Sequence, residues 1–371
     1  MQTSERIEVL KTILRPAGGG IYVVSTGLAA QRALQRRIYE VEHDDAVDHA
    51  WGVALERLDR AKVVILGVPS DTGAGFVRGA NQAPAALRET LLSRSASPYM
   101  ADGVVDLGDV RVVPQLLSDE MLSAGQIAAT RRALYGTDAT NLPVSPLDLC
   151  ALALDHVRAL APRAVPIVLG GDHSVAWPAF ATAFKGPRRL GLLHFDAHTD
   201  LLSERLGVKH CFATWAYHAN ELLARDGRLV QVGVRQSAKP REYWEKTLNV
   251  RQFRPEELAD HTPKAVADEI VGRFRSLGVE AVYVSNDIDG TDSAFAAATG
   301  TAEPGGPNPD FVRRLTDRVL AAFPLAGADL VEVAPPLAHD RPFEPGLTLG
   351  VACDYLDDLI RAALRSAGAP P

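Results

Sequence analysis

The chain contains few cysteines, and the three that it has, Cys150, Cys211 and Cys353, are far apart. An odd, widely spaced set predicts neither a disulfide framework nor the closely spaced pairs of a structural zinc site. The first residues mix polar and apolar side chains and lack the apolar core of a secretory leader. We therefore expect a cytoplasmic protein in a reducing compartment.

Long apolar runs and runs of basic residues are missing as well. No stretch approaches the roughly 20 apolar residues that a membrane-spanning helix needs. The formal net charge is −7 and no run of Lys or Arg stands out, so neither a nucleic acid nor an anionic membrane is expected as a partner. With 47% hydrophobic and 23% charged residues in 371 positions, the composition is typical of one large globular domain or two smaller ones.

The N-terminal part of the chain differs from the rest. Two helical patterns, at residues 7–14 and 28–40, precede the first β-rich apolar run at residues 63–68. The sequence shows no internal repeat and no low-complexity linker. We predict an N-terminal extension at residues 1–60, packed on the main domain or on a neighbouring subunit, and one main domain at residues 61–371.

From residue 63 onward, short apolar runs alternate with helical segments. Apolar runs rich in β-branched residues are typical of buried parallel strands, and helices between them complete right-handed crossover units. The pattern predicts an α/β fold of three layers, αβα, with a mainly parallel central sheet. Strands are expected at residues 63–68, 104–107, 165–169, 189–195, 228–234, 279–285 and 328–333, and helices at residues 85–92, 147–160, 175–184, 212–224, 256–277, 310–323 and 349–365.

Three potential metal ligands, Asp196, His198 and Asp200, follow the strand predicted at residues 189–195. Side chains alternate across an extended backbone with a period of two, so all three can point the same way. One imidazole between two carboxylates is a mixed nitrogen and oxygen set, suited to a borderline-hard divalent metal. The neighbouring His194 is expected to pack in the sheet. The spacing therefore indicates part of a metal site.

Two further clusters follow other predicted strands. His173 comes just after the strand at residues 165–169, and Asp287 and Asp289 come after the strand at residues 279–285. Sites in open parallel sheets form beyond the carboxyl ends of strands, which is where all three clusters fall. The four carboxylates crowded there need compensating charge, which two divalent cations supply. The ligand types favour Mn²⁺, with Fe, Co and Ni as alternatives, over a structural zinc site.

These clusters stand in long motifs that resemble those of the ureohydrolase family, which comprises arginases, agmatinases, guanidino-acid hydrolases and formimidoylglutamases. The resemblance extends from about residue 63 to about residue 364. It rests on motifs in the family's order, namely Gly67-Val68-Pro69 with Gly79 and Pro84, Gly170-Gly171-Asp172-His173-Ser174, Phe195-Asp196-Ala197-His198-Thr199-Asp200, Ser285-x-Asp287-x-Asp289, Thr299-Gly300-Thr301 with Gly305-Gly306, and Asp329-Leu330-Val331-Glu332-Val333.

The resemblance implies two Mn²⁺ ions that share two carboxylates. It also implies hydrolysis of a C–N bond in a small guanidino compound to urea and an amine, by attack of a metal-bridging hydroxide. Family members are usually trimers or hexamers, so a homo-oligomer is expected. One ion would be held by His173, Asp196, Asp200 and Asp287, and the other by Asp196, His198, Asp287 and Asp289.

The same resemblance assigns roles outside the ligand set. Glu332 matches the glutamate that orients the substrate, and a planar guanidinium needs such an anionic partner. His210 matches the family's loop histidine and is a candidate proton shuttle near neutral pH. Asp200 is a candidate relay for the first proton. Three further side chains are expected to orient the ligands: Asp172, Ser174 and Asp292.

The substrate pocket is the least determined part of the predicted site. The loop at residues 201–215 and the segment at residues 293–304 should line it, and both depart from the family pattern. The loop carries Glu204, Arg205 and Lys209, so charge does not decide between a cationic tail, as in agmatine, and a carboxylate tail, as in arginine or a guanidino acid. Two aromatic residues predict a narrowed pocket for a compact substrate: Phe212 and Trp215.

Other functions remain open on the sequence alone. Within the family, hydrolysis of formimidoylglutamate would release formamide, and guanidine would be a very small substrate. A two-metal phosphoesterase is disfavoured because no Lys or Arg cluster accompanies the motifs. A metal-binding protein without catalysis is disfavoured by the complete ligand set together with Glu332 and His210.

Overall fold

The computed structural model describes residues 1–21, 25–75, 77–186 and 188–366. The strands in this part of the chain are β1 (Leu14–Arg15), β2 (Val63–Val68), β3 (Val104–Val110), β4 (Val165–Gly170), β5 (Leu190–Phe195), β6 (Leu229–Val232), β7 (Arg251–Phe253), β8 (Ala281–Asp287) and β9 (Leu325–Val331). They form one sheet in the order β1-β3-β2-β4-β9-β8-β5-β6-β7.

Helices cover both faces of this sheet. Neighbouring residues of a strand point to opposite faces, so Val63 and Ile65 pack in one apolar core while Val64 and Leu66 pack in the other. The predicted three-layer αβα fold is confirmed. The first core is closed by α2 (Ser25–Ile38), α4 (Ala83–Ser93), α10 (Pro255–Ala259), α11 (Pro263–Ser276), α12 (Pro309–Ala322) and α13 (Gly346–Ser366). The second is closed by α1 (Thr3–Ile13), α3 (Val47–Glu56), α6 (Pro146–Leu160), α7 (Ala176–Phe184), α8 (Trp215–Leu222) and α9 (Arg241–Leu248).

The N-terminal segment is joined to the main sheet. All neighbouring strands are parallel except β1, which pairs antiparallel with β3 through the registers of Leu14 with Val110 and Arg15 with Asp109. Helix α1 packs against α6 and α3. The segment therefore contributes an edge strand and helices that cover the sheet. Among the helices described, none combines the length and the hydropathy that crossing a bilayer would require.

The long helix predicted at residues 256–277 is two helices in the structure, α10 and α11. Thr262 lies between them with an extended backbone, and its side chain accepts a hydrogen bond from the backbone N–H of Ala265. Pro263 then occupies the first turn of α11. A capping residue and a first-turn proline begin a new helix, so the single-helix prediction was wrong.

Other predicted helices and strands differ from the observed ones in their bounds or were not predicted at all. The helix predicted at residues 212–224 begins only at Trp215, because Thr214 Oγ1 accepts from the backbone N–H of Cys211 at 2.9 Å in a preceding turn. The segment at residues 114–142 is predicted from the sequence to be partly helical, and it contains the α-helix α5 (Ala124–Tyr135). Four elements were not predicted: β1, β7, α3 and α9. β1 and β7 are only two and three residues long and α9 is largely polar, whereas α3 carries Val47, Trp51 and Leu55 at helical spacing.

Candidate metal centre and active site

Four adjacent parallel strands bring the predicted site residues together. The sheet order β4-β9-β8-β5 places four carboxyl ends side by side. His173 lies in the turn after β4, and Asp196 directly follows β5. Asp287 is the last residue of β8, and Glu332 directly follows β9. The site therefore forms at the carboxyl ends of these central strands, as expected for an open parallel sheet.

One acidic group surrounds a ring nitrogen of His173. Its Nδ1 lies 3.3 Å from Asp196 Oδ2, 3.1 Å from Asp200 Oδ2 and 3.1 Å from Asp287 Oδ2. All four side chains are buried, and Nδ1 makes no hydrogen bond. A buried imidazole nitrogen that faces three carboxylate oxygens is a suitable donor set for a cation.

A second group shares Asp196 with the first. His198 Nδ1 lies 3.4 Å from Asp196 Oδ1 and 3.1 Å from Asp289 Oδ2. Ligand atoms of Asp196, His198 and Asp289 lie close enough together to hold a metal ion, as do those of His173, His194, Asp196 and Asp200. The structure thus brings all six predicted ligand side chains together and places Asp196 between the two groups.

The charges of this site need compensation. Burial, followed by the negative charges of Asp289 and Asp196, raises the pKa of Asp287 well above its usual range. Burial and the charge of Asp196 also raise the pKa of Asp200. Both shifts have the same cause, because buried carboxylates that lie side by side are costly to keep ionised. Bound cations would remove that cost.

A buried chain of hydrogen bonds fixes the ring of His173. Its Nε2 lies 3.0 Å from Ser285 Oγ, and the Ser285 hydroxyl donates to Asp329 Oδ1 at 2.7 Å. Asp329 also accepts from the hydroxyl of Tyr283 at 2.8 Å. Because the Ser285 proton points to Asp329, Ser285 Oγ accepts from Nε2–H, which leaves Nδ1 with a free lone pair. The sequence assigns Ser285 and Asp329 no role beyond their motifs, although a polar residue in each of two apolar strands indicates a buried hydrogen bond.

Two further side chains hold carboxylates of the site. Trp215 Nε1 donates to Asp200 Oδ2 at 3.1 Å, and its indole lies 4.7 Å from the ring of His173. Thr301 Oγ1 donates to Asp289 Oδ2 at 2.7 Å. Trp215 is fully buried and does not line the cavity, so the prediction that it narrows the pocket was wrong. Its indole packs behind the acidic group instead.

Of the three residues expected to orient ligands, Asp172 and Asp292 accept hydrogen bonds from loop backbone instead, and the hydroxyl of Ser174 has no hydrogen-bond partner in the part of the chain that the structure describes. Asp172 accepts from the backbone N–H groups of Ser174 at 2.8 Å and Gly73 at 3.0 Å, and burial raises the pKa of Asp172 to about 6. A Cβ on Gly73 would lie 2.5 Å from Ser174 Oγ, so the loop approaches closely there. Asp292 accepts from the backbone N–H of Gly305 at 2.7 Å. Within the described residues, no side-chain hydrogen bond joins Asp172 or Asp292 to a predicted ligand.

Glu332 lies where the predicted substrate-orienting carboxylate should be. Its Oε1 accepts from the backbone N–H of His173 at 2.9 Å, and its own N–H donates to the carbonyl of Gly171 at 2.8 Å. Burial, followed by the negative charge of Asp172, raises the pKa of Glu332 well above its usual range. The side chain lines the cavity described below. A cationic group in that cavity would meet this half-buried carboxyl group.

His210 is placed differently from its predicted role. Its ring stacks on Trp177, with centroids 4.7 Å apart, and lies 4.6 Å from the ring of His218. It is not among the residues that line the cavity, although Cys211 beside it is. Burial, with smaller contributions from His218 and Lys209, lowers the pKa of His210 to about 4. This geometry does not support a proton shuttle, and that role stays a prediction.

A cavity of about 710 Å³ borders the acidic groups. Its floor includes His198, Asp200, Asp287, Asp289 and Glu332. Its wall is largely apolar and carries one cationic side chain from the loop at residues 201–215. The wall includes Leu116, Leu117, Leu122, Val208, Phe212 and Arg205.

Comparison with known proteins agrees with this arrangement. Residues 61–360 match the model of the Arginase family. The chain is similar to the mitochondrial guanidino acid hydrolase of Homo sapiens, with 31% identity over 76% of this chain and 73% of that protein. It is also similar to the mitochondrial agmatinase of Gallus gallus, with 32% identity over 76% of each chain.

Solved structures share the fold. The proclavaminate amidino hydrolase from Streptomyces clavuligerus aligns with a TM-score of 0.65 and 25% identity, covering 82% of this chain and 92% of that one. The arginase from Bacillus subtilis aligns with a TM-score of 0.61 and 22% identity, covering 80% and 98%. Fold, site and sequence together define a hydrolase of the ureohydrolase class. The chain belongs to the Arginase family.

Proposed function

We propose that this protein hydrolyses a C–N bond of a small guanidino compound and releases urea and an amine. The observation that carries the proposal is the unpartnered Nδ1 of His173, which faces three carboxylates. Two of these, Asp200 and Asp287, line a cavity that Glu332 also lines. The family membership and the names of the relatives support the same reaction. We further propose residues 61–371 as the catalytic domain and residues 1–60 as its extension.

The donor set fits two divalent cations. We propose that one ion is held by His173, Asp196, Asp200 and Asp287. We propose that the other is held by Asp196, His198, Asp287 and Asp289. Mn²⁺ is favoured because oxygen ligands outnumber nitrogen ligands in both sets, with Fe, Co and Ni as alternatives. When bound, such ions supply Lewis acidity that lowers the pKa of water toward neutrality.

The protein's own side chains bind the substrate and move the proton. Glu332 lines the cavity with a half-buried side chain and offers carboxylate oxygens to the N–H groups of a guanidinium in charge-assisted hydrogen bonds. Hydrolysis adds one water across the C–N bond, so one proton of that water must reach the departing nitrogen. Asp200 lines the same cavity and is proposed to carry this first proton.

The cavity wall favours a substrate tail that is not cationic. Of the described residues that line the cavity, only Arg205 is a Lys or Arg, whereas Glu204 and Lys209 do not line it. The guanidinium of Arg205 lies 5.1 Å from the ring centroid of Phe212 and has no carboxylate partner within the described residues. We propose a guanidino carboxylic acid, whose carboxylate meets Arg205 while its apolar chain contacts the wall.

The test is a urea-release assay with Mn²⁺ on arginine, agmatine, guanidino acids and guanidine. Glu332→Gln should lower kcat/KM at least about 100-fold, because it removes the charge that binds the guanidinium. Glu204→Gln is the matched control from outside the cavity and should leave kcat/KM unchanged. Absence of urea from every compound would reject the proposal, and formamide from formimidoylglutamate would replace it with the rival family reaction.

Assembly and location remain predictions of the sequence. A trimer or hexamer in the cytoplasm is expected, and light scattering of the purified chain together with cell fractionation would measure both.

A further inference from the structure

A row of buried polar side chains crosses from β5, beside the candidate metal centre, through β6 to the outermost strand β7. His194 of β5 is in register with Gln231 of β6, and Gln231 is in register with Gln252 of β7. All three residues are completely buried. Polar side chains at three successive positions of an apolar sheet need partners, because an unpaired buried polar group is costly.

The hydrogen bonds of this row have one direction. Arg254 Nη2 lies 3.1 Å from Gln252 Oε1, and a guanidinium only donates. Gln252 Nε2 therefore points the other way and donates to Gln231 Oε1 at 2.8 Å. The Nε2 of Gln231 then donates to the carbonyl of Thr199 at 2.7 Å and to Nδ1 of His194 at 3.0 Å. The Thr199 carbonyl, which can only accept, fixes the Gln231 amide independently.

The row therefore selects one tautomer of His194. Because Nδ1 accepts from Gln231, the proton of the neutral ring lies on Nε2. That nitrogen is 2.9 Å from Asp196 Oδ2, so it donates to the carboxylate that the two acidic groups share. His194 lies within reach of the first group as a potential ligand, yet this tautomer has no free lone pair for a metal.

We propose that Gln252 and Gln231 set the tautomer of His194 and that His194 thereby positions Asp196 for metal binding. The proposal rests on the proposed function in one respect, since it takes Asp196 as a metal ligand. His194, Gln231 and Gln252 are positioning residues that act through Asp196. If these glutamines only filled space in the core, replacing them would not change which ring nitrogen of His194 carries the proton.

The first measurement is the nitrogen NMR spectrum of the full-length, metal-free protein carrying isotope-labelled histidine. The signal of His194 is identified by its loss in His194→Gln. The wild-type protein should show Nδ1 unprotonated and Nε2 protonated. A His194 ring protonated on Nδ1 would overturn the proposal without any variant.

The second measurement is the Mn²⁺ dissociation constant of variants along the row. Gln231→Leu removes the donor to Nδ1 and should weaken Mn²⁺ binding about 10- to 100-fold, with a changed His194 spectrum. Gln252→Leu lies one step further out and tests the same point if Gln231→Leu does not fold. His194→Gln keeps a donor toward Asp196 and should bind Mn²⁺ more tightly than His194→Leu.

A matched control comes from another buried glutamine. Gln35 donates to the carbonyl of Ala17 at 3.1 Å and lies in α2, outside the row. Gln35→Leu should change neither the His194 spectrum nor Mn²⁺ affinity. Unchanged spectrum and affinity in Gln231→Leu and Gln252→Leu would overturn the proposal. Neither readout needs turnover, so failure of the urea-release assay would count against the proposed function alone.

Discussion

The indole Nε1–H of Trp215 donates to Asp200 Oδ2 at 3.1 Å, and the same oxygen lies 3.1 Å from His173 Nδ1. Trp215, the first residue of α8, therefore orients the predicted metal ligand Asp200 through a hydrogen bond from the core side. Trp215→Phe keeps most of the ring but removes the donor. We expect the free energy of unfolding to fall by about 1–3 kcal/mol, because the hydrogen bond to a charged group is lost.

The same variant should also weaken Mn²⁺ binding about 10-fold, because Asp200 loses the contact that orients it. Denaturant unfolding and metal titration measure the two effects. Trp244→Phe provides the control, since Trp244 Nε1 donates to Ser237 Oγ at 2.9 Å, away from the cavity. Equal Mn²⁺ affinity in Trp215→Phe and the wild type would show that Asp200 needs no such support.

Ser285 connects His173 to Asp329, so its hydroxyl should influence metal affinity without touching the cavity. Ser285→Ala removes the acceptor for His173 Nε2–H and leaves Asp329 with one partner fewer. We expect Mn²⁺ affinity to fall about 10- to 100-fold. Ser285→Thr retains a hydroxyl and should recover part of the loss, which isothermal titration can measure. Identical affinity in the Ala and Thr variants would exclude this role.

Arg205 should affect KM more than kcat if it binds a substrate carboxylate. Arg205→Gln is expected to raise KM for guanidino carboxylic acids by about 10-fold or more, because a charge-assisted hydrogen bond is lost. The KM for agmatine, whose tail is cationic, should not rise. Lys209→Gln removes the same charge from the same loop outside the cavity and should leave both values unchanged. A rise of similar size for every substrate would indicate loop distortion.

Buried histidine should make the protein less stable in mild acid. Stacking against Trp177 lowers the solvent exposure of His210, and burial lowers its pKa to about 4, against about 6.5 for an unfolded chain. Between these values the unfolded state binds more protons, so this contribution to stability is present above pH 6.5 and is lost as the pH falls toward 4. His210→Phe keeps an aromatic ring and should reduce the decline, measured by urea unfolding at several pH values.

The same variant decides the predicted shuttle role of His210. If the ring only stacks on Trp177, kcat of His210→Phe should stay within about 3-fold of the wild type. A general acid contributes about 10²–10⁴-fold. A loss of that size would show that His210 reaches the substrate in a conformation other than this one.

The metal centre was predictable to the extent that it depends on local chain geometry. Asp196, His198 and Asp200 lie at alternate positions after a strand, and the pleat alone places such residues on one side. The alternation of apolar runs and helical segments likewise led to the αβα fold, because buried parallel strands read as continuous apolar runs. Elements of two or three paired residues, such as β1 and β7, carry too few positions for such a pattern.

Only the tertiary structure decided which side chains stand behind the ligands. Gln231 contacts His194, and Gln252 contacts Gln231, because β5, β6 and β7 are neighbours in a defined register. Gln231 and His194 are 37 residues apart in the chain. Trp215 was predicted to line the pocket, but it is buried and donates to Asp200 instead. The reason is that the turn at residues 211–214 directs the first residue of α8 into the core. Strand order and register depend on the packing of the whole sheet. The sequence by itself therefore determined the candidate ligands and the family, while the packed sheet determined how those side chains are held and which side chains line the cavity.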